Sequence, residues 1–591
     1  MNRTLLRLLL LAPLQLVPAG TRAAEADLIL HGGKVVTVDA AFAVHEAIAI
    51  QGATVLQVGK SSELLELRGP RTEVIDLEGR MVVPGLMDSH VHPIAACLTE
   101  FDHPIPEMES IADVLAYIKA RAQIVKEGDW IVLQQVFITR LREQRYPTRA
   151  ELDTAAPRHP VLFRTGPDAS LNSLALKLSG IDRDFKVTDG GSGFAEKDPQ
   201  TGEPTGILRN CRRYVKDKPS TKIATDEEHD ARLKLLFADY NSVGITSIGD
   251  RDTSLEAIER YRRLREKGEL TVRVSCSQSI GSLGAIEKIE VQIRSVARNP
   301  LHIGRDDWLR IIGIKTYLDG GMLTGSAYMR EPWGVSAIYA ITDPAYRGVL
   351  FIPRERLLPM VRAAVESGLQ FTAHSVGDGA VHALLDVYAE LAKEGLPVRE
   401  TRACITHSNF MSKEAVEQAA ALGVMHDIQP AWLYLDTRTL VKHFGDERLR
   451  YFQPLRSIFA AGGMVGGGSD HMQKIGSLRA INPYNPFLGM ATAVTRRARW
   501  HEGSLHPQEA LTREQALRFY TINNAKLLFK EDRAGSLERG KLADLAVLDT
   551  DLLTCAEEKI AATQVLRTYV GGKLVFHRQA NATGRSHAGV R

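Results

Sequence analysis

Six side chains in five distant stretches of this 591-residue sequence have the chemistry to hold divalent cations: His90 and His92, Lys315, His374, His407 and Asp470. His90 and His92 flank Val91, and an i, i+2 pair on an extended strand projects both imidazoles to one side. Neutral imidazole suits zinc and other first-row ions, and a carboxylate completes a site that keeps a position open for water. Lys315 is discordant, because a protonated ammonium repels a cation. It fits if the amine carries CO2 as a carbamate, an anionic bridge between two ions. The other reading of Lys315 is a buried ion pair with Asp319 or Asp470. Asp470 in turn reads either as a base or as the cap of a Gly-Ser-Asp turn.

These residues need a scaffold that aims them at one point. Eight short apolar runs, at 81–87, 244–249, 271–276, 309–315, 369–373, 403–406, 423–428 and 464–468, read as buried strands. Helical stretches at 231–242, 354–367, 380–394 and 413–422 lie between them. The alternation predicts an α/β chain folded as a (β/α)8 TIM barrel, 81–93 plus 231–529, whose functional groups gather where the strands end. The six candidates all sit at or just beyond such ends. Three further residues near those ends, His471, Tyr317 and Trp432, are candidate substrate contacts.

The flanks predict more. Short β-rich runs at 25–80 and 530–580 are each too few for a stable sheet alone, so the two ends are expected to form one composite β-sandwich. Residues 94–230 are too long for a structureless loop and carry their own strand and helix patterns, which predicts an inserted subdomain over the barrel mouth. At the N-terminus, Arg3 and Arg7, an apolar run and a small-residue exit near Ala23-Ala24 read as a Sec-type signal peptide over 1–24, and hence an exported protein, periplasmic or secreted. A tail occupies 581–591.

Composition excludes other classes. With 74 Lys+Arg against 71 Asp+Glu, a net charge of +3 makes no basic field for nucleic acid. The five cysteines are scattered and unpaired in pattern, so neither a disulfide framework nor a thiolate metal site is expected. No other run reaches membrane-spanning length.

The run Met81-Val-Val-Pro-Gly-Leu-Met-Asp-Ser-His-Val-His92 resembles the opening motif of the amidohydrolase superfamily, and Gly535-Ser-Leu-Glu-Arg-Gly-Lys-Leu-Ala-Asp-Leu-Ala-Val-Leu-Asp549 its closing signature. Ile314-Lys-Thr-Tyr-Leu-Asp-Gly320, His374-Ser-Val-Gly-Asp378 and Gly468-Ser-Asp470 are similar to the YtcJ-like branch, amidohydrolase family 3, which includes N-substituted formamide deformylases. The resemblance implies one or two divalent ions, zinc foremost. His90, His92 and Asp470 would serve one ion and His374 and His407 the other, bridged by N6-carboxylated Lys315. It implies that Asp470 takes a proton from a metal-activated water and returns it to a leaving amine, hydrolysing a linear amide, N-acyl or N-formyl bond of a small molecule. The chain departs from the pattern at Gly166-Pro-Asp-Ala-Ser-Leu-Asn-Ser173, at Thr406-His407 and at His471. Alternatives are a catalytically silent binding barrel, and a lactone or ester hydrolase on the same centre. The sequence leaves a homo-oligomer open and gives no sign of a membrane partner.

Overall fold

The computed structural model describes residues 25–218 and 222–579. The signal-peptide expectation at 1–24 and the tail at 581–591 lie outside the described residues. Eight parallel strands form one sheet in chain order: β1 (Leu86–Val91), β2 (Ile245–Thr253), β3 (Arg273–Ser279), β4 (Leu309–Tyr317), β5 (Gln370–Ser375), β6 (Cys404–His407), β7 (Met425–Ile428) and β8 (Met464–Gly467). Val91 and His471 make a parallel bridge beyond β8, and the His92 amide donates to the His471 carbonyl at 2.8 Å, so the last strand meets the first and the barrel closes. Both faces of β4 are buried up to Tyr317, as a strand packed between helices and a barrel interior requires.

The expected first strand, 81–87, is two strands. Met81–Pro84 pairs antiparallel with Leu545–Leu548, while β1 starts at Leu86 and pairs with β2. Pro84 has no amide to continue a ladder. At Gly85 the backbone comes so close to the Thr246 side chain that a Cβ would collide with it. The chain therefore turns from one sheet into the other at Pro84-Gly85.

Met81–Pro84 belongs to a six-stranded sheet that also holds Lys34–Val36, Val44–His45, Leu545–Leu548, Val565–Val570 and Lys573–His577. A four-stranded sheet of Ala26–His31, Ala47–Gln51, Thr54–Gly59 and Arg68–Asp76 faces it. Leu28, Leu30, Ile48, Val82, Leu545 and Val547 fill the space between. Arg273, at the start of β3, ties this unit to the barrel by a fully buried two-pronged pair with Asp544, Nε to Oδ2 at 2.7 Å and Nη2 to Oδ1 at 2.9 Å.

Between β1 and the helix Asp226–Ser242, five strands (Ile131–Leu133, Val161–Thr165, Asp168–Leu171, Phe194–Lys197 and Pro204–Arg209) make a separate sheet. It docks on the barrel mouth through a shared apolar cluster that joins Phe137, Ile138 and Leu141 to Trp333, Phe410 and Trp432. Asp436 anchors the contact by accepting from Thr139 Oγ1 at 2.8 Å and from Arg140 Nε and Nη2 at 3.2 and 3.0 Å. The stretch between β4 and the helix Arg354–Glu366, including Trp333 and Tyr339, joins the same cluster. The five cysteines are free, four of them buried.

Candidate metal centre

β1 ends in the pair that the sequence singled out. The Nε2 atoms of His90 and His92 stand 3.2 Å apart, and Asp470 Oδ1 lies 3.4 Å from the first and 3.2 Å from the second. One ligand atom from each of the three lies within 4.8 Å of the others, a cluster able to hold an ion. Asp470 reaches it from the turn after β8, with a left-handed backbone (φ 56°) and its amide donating to the His90 carbonyl at 2.8 Å. A non-glycine residue held there stores strain, which the surrounding structure must enforce.

His407 and His374 stand next to this cluster. The His407 ring stacks on His90 with centroids 5.0 Å apart, and His374 meets His407 edge-on at 4.5 Å. Adjacent strands β5 and β6 set them side by side, with Ser375 opposite His407 in register. His407 also takes a left-handed backbone (φ 80°). Burial drives His90 and His407 well below the usual histidine range and His374 to about 3, so all three rings are neutral and present lone pairs. His92 moves the other way. Asp470 beside it raises its pKa against the desolvation that opposes the charge.

Lys315 lies near the end of β4, fully buried, with its Nζ 4.2 Å from the centre of the Tyr317 ring. Asp470 acts on its charge without an ion pair between them among the described residues. Asp319 is occupied elsewhere, accepting from the amides of Val376, Gly377 and Tyr328 at 2.9 Å each. Burial lowers the Lys315 pKa, against the pull of Asp252, Asp470 and Asp427.

The side chains that orient these groups were not apparent in the sequence. Asp427, inside β7, takes the His90 Nδ1 at 3.0 Å with one oxygen and accepts from Ser89 Oγ at 2.7 Å and Gln429 Nε2 at 3.0 Å with the other. Gln429 Oε1 accepts from His407 Nδ1 at 2.7 Å. Both bonds place the imidazole proton on Nδ1 and leave Nε2 free toward the centre. The available signal was an acid and an amide at alternate positions, Asp427 and Gln429, at the end of a buried strand.

Of the three candidate substrate contacts, two reach the cavity. Trp432 stacks on His407 at 4.6 Å with its Nε1 buried and without a hydrogen-bond partner. Tyr317 donates to Asp252 Oδ2 at 2.9 Å, leaving Asp252 Oδ1 buried and unpartnered. His471 is not a substrate contact. It is wholly buried, accepting from Tyr240 Oη at Nδ1 (2.7 Å) while Nε2 faces the Lys474 carbonyl at 2.7 Å. Its ring points behind the barrel mouth, and burial lowers its pKa to about 4. The other eight candidates line one cavity of ≈ 1500 Å³ between the barrel mouth and the five-stranded subdomain.

Residues 73–576 match the protein family described as "Amidohydrolase family". The chain belongs to this family. As an amidohydrolase it is 29% identical over 568 residues to an N-substituted formamide deformylase of Arthrobacter pascens, covering 93% of this chain and 98% of that one. It is 25% identical to the putative amidohydrolase YtcJ of Bacillus subtilis strain 168, over 93% of this chain and 99% of the other. In fold it is similar to an uncharacterized metal-dependent hydrolase from Pyrococcus horikoshii OT3, with a TM-score of 0.63 at 22% identity over 90% of this chain and 99% of that one.

Proposed function

We propose that this amidohydrolase cleaves a linear carbon–nitrogen bond, an amide of N-acyl or N-formyl type, with the help of one or two divalent ions, zinc foremost. The observation that carries the reading is the convergence of His90, His92 and Asp470 on one point at the floor of the cavity. The donor set fits: two imidazole nitrogens and a carboxylate oxygen face one another, and Asp427 holds the His90 tautomer that leaves Nε2 available. A cation bound there would lower the pKa of water and polarise a carbonyl.

The chain's own residues supply the rest. The Asp470 carboxylate is placed to accept the proton of the attacking water and to return it to the departing amine nitrogen. Trp432 and His407, stacked, wall one side of the centre against bulk water. Buried Lys315, with its lowered pKa, holds more neutral amine than an exposed lysine. That is the form whose nitrogen adds to the carbon of CO2, releasing one proton, to give a carbamate. Cleavage of an N-formyl amine is the chemistry named for the Arthrobacter relative, which supports the choice of bond. Export through residues 1–24 belongs to the same proposal.

The test is a substrate panel on protein loaded with zinc and on protein stripped by chelator. N-formyl and N-acetyl benzylamines should be hydrolysed only by the loaded form. Turnover that survives stripping, or turnover of lactones and esters alone, overturns the assignment. Intact-mass and peptide analysis of Lys315, and fractionation of expressing cells, check the carbamate and the export.

A further inference from the structure

The end of β2 departs twice from regular geometry at one residue. Its pairing with β3 slips between Arg251, opposite Ser277, and Thr253, opposite Gln278, which makes Asp252 the extra residue of a β-bulge. The Asp252 backbone is also left-handed (φ 75°), a costly conformation for a residue with a Cβ. A bulge re-aims a side chain, and bulges recur beside functional sites. Here Arg251 turns into the barrel, donating from Nη1 to Ser277 Oγ at 2.9 Å and to Gln370 Oε1 at 2.8 Å. Asp252 instead reaches the cavity and meets Tyr317.

The bond from Tyr317 Oη to Asp252 Oδ2, 2.9 Å long, is exposed, and both residues line the cavity. It is the one hydrogen bond that the Asp252 side chain makes among the described residues, since Oδ1 is buried without a partner. Turning the phenol proton elsewhere would strip the carboxylate of its only donor, so that proton is committed to Asp252. The Tyr317 oxygen, on a side chain 38% exposed, therefore meets the cavity as an acceptor and has no hydrogen to offer a substrate carbonyl. It does so beside the centre: the ring lies 4.2 Å from Lys315 Nζ and 5.5 Å from the His374 ring. A group that docks there must bring a hydrogen of its own. An amide nitrogen with an N–H does. A fully substituted nitrogen does not, and an ester oxygen would set lone pair against lone pair.

We propose that the Tyr317–Asp252 pair accepts the N–H of the scissile amide, so that the preferred substrates are secondary amides, those of primary amines, over tertiary amides and esters. The proposal rests on the reading of the chain as a metal-dependent amide hydrolase, and its test separates the two.

Zinc-loaded protein is assayed with N-formylbenzylamine and N-formyl-N-methylbenzylamine. Binding of both, and of benzyl formate, to metal-free protein is measured by calorimetry. The secondary amide should be favoured at least about 100-fold in kcat/KM and should bind tightest of the three, since an acceptor facing a methyl group or a lone pair goes unpaired. Bulk alone would penalise the N-methyl amide and spare the ester. Asp252→Ala frees the phenol proton while keeping the Tyr317 oxygen in place, and should bring the kcat/KM ratio within about tenfold. Tyr317→Phe should lower the ratio less, because Asp252 Oδ2 is then free to accept. Equal treatment of the two amides by the unaltered protein overturns the acceptor pair and leaves the hydrolase reading standing. So does a Tyr317→Phe variant that loses kcat equally on both, the mark of a phenol that donates to the carbonyl. N–H-dependent binding that is lost in Asp252→Ala, with no turnover of any amide, sustains the pair and overturns the hydrolase reading.

Discussion

Asp427→Asn should weaken metal binding without touching a metal ligand. Asp427 meets His90 Nδ1 with Oδ2 at 3.0 Å, while its Oδ1 accepts from Ser89 Oγ and Gln429 Nε2. Those two donors would hold the asparagine oxygen in the Oδ1 position, so the amide NH2 must take the place of Oδ2. A donor then faces His90 Nδ1, and the imidazole can make that bond only by moving its own proton to Nε2. Nε2 is the nitrogen 3.2 Å from His92 Nε2 and 3.4 Å from Asp470, and a proton there removes the lone pair that would bind. Disturbing such an orienting partner typically costs about 10–100-fold in metal affinity, or roughly 1.4–2.7 kcal/mol. The substitution also strips a charge from beside buried Arg251, whose Nε is 3.7 Å from Oδ2. Some loss of stability will therefore appear in metal-free protein as well. Zinc titration against a chromophoric chelator measures affinity, and urea unfolding of the metal-free form measures the second effect separately. A zinc affinity within twofold of the unaltered protein would refute the tautomer argument.

Asp470→Asn should lower kcat by about 10²–10⁴-fold, and unchanged turnover of an established amide substrate rejects Asp470 as the proton carrier. Asp544→Ala leaves Arg273 buried without its two-pronged partner and should cost about 3–5 kcal/mol in unfolding free energy, whereas Arg273→Met/Asp544→Leu together should cost far less. A fully buried Lys530 has its pKa lowered from 10.5 to about 7 by burial and by the like charges of Arg273 and Arg310, against Asp307 and Asp544. Its folded pKa lies below its unfolded one, so the penalty of about 5 kcal/mol is complete below pH 7 and is relieved as pH rises toward 10.5. Stability should climb between pH 7 and 9.5, and Lys530→Met should flatten that slope. Urea midpoints across the range check it, and an equal slope in the variant rejects the buried-lysine account.

Much of the barrel was legible because its strands are short apolar runs and its helices amphipathic stretches of ordinary length. Lys413–Leu422 has the bounds that the pattern predicts, and β4 begins at Leu309 as expected. The break at Pro84-Gly85 was concealed because both sides of it are equally apolar. Only the contact with Thr246 and the pairing with Leu545–Leu548 show where one sheet ends and the other begins.

The sequence alone determined the donor types and their places at strand ends: HxH at β1, histidines at the ends of β5 and β6, and an acid after β8. It could do so because strand ends in a barrel all open on one side. Tertiary structure decided which atoms face the centre. Asp470 and His471 are neighbours in the chain, yet the carboxylate joins His90 and His92 while the imidazole turns to Tyr240 and the Lys474 carbonyl. The left-handed backbone at Asp470 and the bridge between Val91 and His471 fix that divergence, and both arise only when the last strand closes on the first. Asp427 and Gln429 acquire their meaning the same way, through rings that reach them from strands far away in sequence.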